Sequence, residues 1–171
     1  QTQVDRQLVL HLMDFLGIPY VDSKPSPFMW DGFRLTTRNF RDDPMDGSDL
    51  LHEVGHWLVA DPRCRTLFNF GLGGGPEEFG LSKDQENLLQ KDKRARNGMN
   101  LPEPHEDEEE AANMIGFHLE QLLGLPFEKN LGRSCPSVED FETRLDIVRD
   151  NFPHLFDQDG IALCLKQFLG I

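Results

Sequence analysis

The chain has 171 residues, 38% hydrophobic and 27% charged, with 17 basic against 30 acidic side chains and a formal net charge of −13. That length suits one domain with a single core, residues 1–171. The charge argues against nucleic acid as a partner, since phosphates demand lysine and arginine, and against docking on an anionic membrane surface. No apolar run approaches the ~18 residues that a spanning helix requires.

Gln1 to Pro19 does not read as a secretory signal, because Asp5, His11 and Asp14 interrupt its apolar stretch. The spacing predicts a first helix over 3–16, with Val4, Leu8, Leu12 and Phe15 on one side and Gly17 closing it. "IPYVDSKPSP", with three prolines, is expected to be extended loop. A strand follows at about 30–37, where aromatic and β-branched residues gather.

Asp46 or Ser48 can cap a helix over about 48–60, ended by Asp61-Pro62, which can itself start a short second helix. "GLGGGPEEFG" is expected to be a loop bordering a cleft; no Gly-Lys-Ser/Thr follows to make it a phosphate cradle. Ser82 and Gln85 form a capping box for a helix that fades before Gly98. "KDKRARNG" is the only dense basic patch, suited to solubility or partner contact, and the acids at 106–110 offset its field. A long helix over about 105–123 leads to "GLPF". Ser137 and Asp140 mark another helix start, and residues 158–169 a last helix. The expected fold class is α+β, predominantly helical with a small sheet.

Cys64, Cys135 and Cys164 have no C-x-x-C spacing and fit reduced thiols of a cytoplasmic protein, not a disulfide scaffold or a thiolate zinc site. No Gly-x-Ser-x-Gly elbow is present.

The chemistry concentrates in "DLLHEVGHWLVADP", residues 49–62. Positions i and i+4 of a helix lie on one face, so His52 and His56 can offer two imidazole nitrogens to one cation at about 2.0–2.1 Å. Glu53, one residue round, can take a proton from a water polarised by that cation. Leu50, Leu51, Val54, Leu58 and Val59 give this helix the apolar flanks of an element beneath a cleft, and Gly55 removes bulk between the histidines. The bland alternative is an amphipathic helix whose histidines are satisfied by core hydrogen bonds.

A catalytic ion normally needs a third protein ligand, and "HEDEEEAANMIGFHLEQLLG", residues 105–124, holds the candidates. From Glu108, helical steps meet Ala111, Ala112, Ile115, Leu119 and Leu122, an apolar stripe. A carboxylate at its head is costly unless paired or bound to a cation. Glu109 leads instead to Asn113, Gly116 and Glu120, and Glu110 to Asn113, Met114 and Phe117. Glu108 therefore ranks first as third ligand and Glu109 second. His105 and His118 are rivals, although His118 lies about 80° off the Glu108 stripe and suits a supporting role. Ala111 and Ala112 would let the two helices approach closely.

Two families share these motifs. "HEVGH" followed by "EEEAAN" resembles the glutamate-type zincin metallopeptidases, in particular the ImmA/IrrE-like members. That resemblance implies an HExxH helix packed on a second, glutamate-bearing helix with a small sheet. It also implies zinc on His52, His56 and Glu108, with Glu53 as general base. "HEVGHW" ending in Trp57, Phe70-Gly71, E-D-x-E from Glu106 to Glu109 and G-x-P-F from Gly124 to Phe127 resemble the bacterial elongation factor P hydroxylases. These ordered elements, between His52 and Phe127, imply non-haem iron(II) with oxygen-dependent hydroxylation of a modified lysine.

The expected function is a zinc-dependent hydrolase acting on a peptide or protein, with the iron hydroxylase second and a non-enzymatic interaction module third. The only tyrosine, Tyr20, lies far upstream of the motif. A peptidase would therefore draw its oxyanion stabiliser from His118, His154 or an arginine.

Overall fold

The computed structural model describes residues 5–23, 29–38, 46–72, 82–101, 108–129, 131 and 135–171. Among these, six α-helices and three short strands make a predominantly helical α+β structure. The glycine-rich segment from 73 to 80, His105, Glu106 and Asp107 lie outside the described residues, as does Val4. No described helix is long and apolar enough to cross a membrane.

The elements are α1 (Arg6–Leu16), β1 (Tyr20–Ser23), β2 (Met29–Trp30), β3 (Leu35–Arg38), α2 (Asp46–Val59), α3 (Lys83–Asn97), α4 (Glu108–Leu122), α5 (Val138–Asn151) and α6 (Ile161–Leu169). Two 3-10 segments, Pro62–Thr66 and Phe68–Gly71, follow α2. The contacts divide the chain into two compact units. One holds α1, α2, α4, α5 and α6; the other holds the strands, these 3-10 segments and α3.

In the helical unit, Asp5 accepts a hydrogen bond from the Gln7 amide to cap α1, and Gly17 closes it at φ 76°. The buried face of α1 is Val9, Leu10, Leu12 and Met13. The expected stripe is rotated: Phe15 is 47% exposed and sits 5.5 Å from the Phe168 ring. Apolar residues occupy most positions from 8 to 16, so period alone does not select the face. Ser137 caps α5 through the Asp140 amide, as its sequence suggests.

The other unit corrects the strand reading. The strand expected at 30–37 is two strands, β2 and β3, joined by a turn in which Asp31 accepts from the Phe33 and Arg34 amides at 2.8 Å each. Gly32, at φ 92°, has the Thr66 carbonyl oxygen 2.7 Å from where a β-carbon would stand. Residues 20–23, read as loop because of the prolines around them, form β1, parallel to β3. The sheet order is β1-β3-β2. Phe68, Leu89, Trp30 and Phe70 are buried here, the last two stacked at 5.2 Å and 9°. Asn69, Phe70 and Gly71 are consecutively left-handed. Their geometry is held by a Trp30 amide bond to the Asn69 side chain and by an Arg96 bond to the Phe70 carbonyl. α3 carries the expected capping box of Ser82 and Gln85.

Candidate metal centre

α2 is amphipathic in the way its sequence suggests. Leu50, Leu51 and Val54 are fully buried and Val59 nearly so, which leaves His52 partly exposed and His56 at the margin. Its principal packing partner is α4. A β-carbon on Gly55 would stand 2.5 Å from the Ala112 carbonyl oxygen, and one on Gly116 would stand 3.3 Å from the His52 α-carbon. Contacts of Gly55 with 112 and of residue 52 with 116 run in opposite senses, so the helices are antiparallel. Small residues on both faces bring the backbones to this distance.

That approach delivers a carboxylate to the histidines. Nε2 of His52 and Nε2 of His56 lie 3.1 Å apart, with the rings edge to face at 85°. One Glu109 oxygen is 3.1 Å from His52 Nε2 and the other is 2.9 Å from His56 Nε2. Ligand atoms of these three residues all lie within 4.8 Å of one another. Two imidazole nitrogens and a carboxylate are a donor set that suits zinc or iron(II), so the residues present fit a divalent ion. Hydrogen bonds from His52, first, and His56 hold the Glu109 carboxyl well below the usual carboxylate range, against an opposing effect of burial.

Glu108, ranked first from the sequence, is buried at 4% exposure and lies outside this grouping. Glu109 stands one helical step from Glu108, about 100° round α4. The apolar stripe headed by Glu108 leads into the core. Gly116, on the neighbouring line headed by Glu109, stands against His52 of α2, as Ala112 of the Glu108 stripe stands against Gly55. Gly116 was the available signal, because a glycine within a helix face marks close backbone approach. Glu120, farther along the line from Glu109, is only 1% exposed. Glu53 is buried at 9% on the helix that bears both histidines.

The remaining histidine candidates stand elsewhere in the helical unit. His118 has Nδ1 3.1 Å from the Gln121 side-chain oxygen and its ring 5.5 Å from that of Phe156. Burial is the main cause lowering its pKa. His154 lines a cavity of about 180 Å³ with Leu58, Leu155, Ile161 and Cys164. All three cysteines are free thiols.

The first turn of α4 distributes three consecutive glutamates among three environments. Glu108 goes to the interior and Glu109 to the histidines. Glu110 goes to Arg144 of α5, at 3.5 Å. Arg144 also pairs with Asp140 at 3.0 Å.

Comparison with protein-family models, with curated proteins and with solved structures returns no match.

Proposed function

We propose that this chain is a metal-dependent enzyme in which His52, His56 and Glu109 hold one divalent ion. The observation that carries the proposal is the convergence of both Nε2 atoms and both Glu109 oxygens, 2.9–3.1 Å apart. Three protein ligands on two helices leave coordination positions for a reactant, the arrangement of a catalytic site.

The identity of the carboxylate bears on the reaction. Glu109 is the last residue of the E-D-x-E segment that carries the resemblance to elongation factor P hydroxylases; the ImmA/IrrE-like register assigns Glu108 instead. On that ground oxygen-dependent hydroxylation of a lysine-derived side chain on a protein substrate takes first place: a bound iron(II) would carry the redox chemistry, and an external two-electron reductant would be needed to reduce the second oxygen atom to water. The Glu109 side chain is 64% exposed, so the ligand set is accessible from solvent.

The second reading is zincin-like peptide hydrolysis, supported by the position of Glu53 directly after His52 on a buried helix face. Glu53 would accept the proton of the attacking water and return it to the leaving amine.

The experiment is metal analysis of protein purified without oxygen or chelator, joined to the Glu53→Gln variant. Hydroxylation predicts iron, substrate-coupled oxygen uptake and a Glu53→Gln variant that keeps turning over. Hydrolysis predicts zinc and loss of turnover in Glu53→Gln with the ion retained. A protein that takes up neither ion, and is unchanged by His56→Ala, would overturn both.

A further inference from the structure

The first turn of a helix is its least constrained part, since its amides lack intrahelical partners. Glu109 sits there, as the second residue of α4. Its reach to two histidines on another helix therefore depends on what holds that turn in rotation and in place. Glu108, buried, secures one side. On the other side the connection is charged: the Arg144 guanidinium lies 3.5 Å from Glu110 and 3.0 Å from Asp140, which is itself capped onto Ser137 at the start of α5. The neighbouring Glu109 and Glu110 carboxylates also repel one another, and an arginine against Glu110 offsets that repulsion.

We infer that Arg144 is a positioning residue for the metal centre: through Glu110 it sets the place and rotation of the turn that presents Glu109 to His52 and His56. This rests on the metal reading above. Arg144 acts from α5, and its ion pair with Glu110 of α4 connects it to the turn that bears Glu109. Arg144 is 36% exposed and Glu110 49%, so the pair adds little to global stability. Its effect falls on geometry, where a small displacement of one ligand changes ion affinity.

The test is titration of the full chain with cobalt(II), whose visible spectrum reports ligand geometry, and with zinc by competition, alongside thermal unfolding. Arg144→Gln and Glu110→Gln are each expected to weaken ion affinity by about three- to tenfold, less than the 10–100-fold typical when a partner bonded directly to a ligand is lost. The unfolding temperature should hold nearly constant. Arg144→Lys should recover part of the affinity, and the exchanged pair Glu110→Arg with Arg144→Glu most of it. Unchanged affinity in both glutamine variants, with binding abolished by His56→Ala, would overturn the positioning role and leave the metal centre standing. Affinity lost only in proportion to stability, with no recovery in the exchanged pair, would also overturn it. No binding by the parent chain would remove the metal centre and this role together.

Discussion

The Ala112 carbonyl oxygen stands 2.5 Å from the place a β-carbon would occupy on Gly55. Real β-carbons do not tolerate that separation, so α2 and α4 can pack as they do only with glycine there. Gly55→Ala should drive the helices apart and cost about 1–3 kcal/mol, the usual range for overpacking. Ion affinity should fall with it, because Glu109 reaches the histidines across the same contact. Gly98→Ala is the control: its nearest neighbour would be 3.5 Å away. Urea unfolding and metal titration of the two variants check both expectations.

Glu109→Gln should lower ion affinity by more than about 100-fold, beyond the loss caused by removing outer partners, with little change in stability because the side chain is mostly exposed. Glu108→Gln alters a buried group outside the grouping and should keep most of the affinity. Isothermal titration of both variants decides between adjacent residues. Reversed outcomes would return the third ligand to Glu108.

The grouping brings Glu109, the second candidate from the sequence, to the histidines and leaves Glu108 outside it. Helical period separated the three glutamates into three faces, and it correctly sent Glu108 to the core. Burial and membership of the grouping are separate properties: Glu108 has the first and Glu109 the second. An ion held between helices needs a ligand at the margin of the packed face, and the glycine at 116 marked that margin. The helices themselves were legible, because capping residues such as Ser82 and Ser137 act locally. β1 was not, since its bonds go to β3, beyond a proline-rich segment whose local preference is loop. The split between β2 and β3 had a local signal in Asp31-Gly32, outweighed by the strand-forming residues around it.

His118 supplies a pH dependence. Burial lowers its pKa in the folded chain below the usual value, while the unfolded chain binds its proton near pH 6.5. The unfolded state therefore holds more protons on this residue between the two values. Its contribution to stability is complete above about pH 6.5 and is lost as pH falls through the folded value. His118→Gln should flatten the stability profile below neutrality, read as urea midpoints at pH 8 and pH 5.

In the strand-bearing unit, the Asp92 carboxylate accepts from the buried Phe68 amide at 2.8 Å. Asp92→Ala leaves that amide without its acceptor and should cost about 1–3 kcal/mol. Chemical denaturation followed by tryptophan fluorescence suits the measurement, since Trp30 lies in the same unit.

The histidines and Glu109 belong to one unit but to segments separated along the chain by the longer segment of the other, residues 60–106. During synthesis α2, which also packs on α1, must wait for residues 60–106 before α4 exists to cover its remaining face. An ion held by His52, His56 and Glu109 would join two segments across an insertion and, bound by the folded chain alone, would stabilise it. At a free concentration 100-fold above its dissociation constant it would add about 2.7 kcal/mol. Chelation would therefore be felt first as slower assembly and easier proteolysis at the two crossings of the insertion.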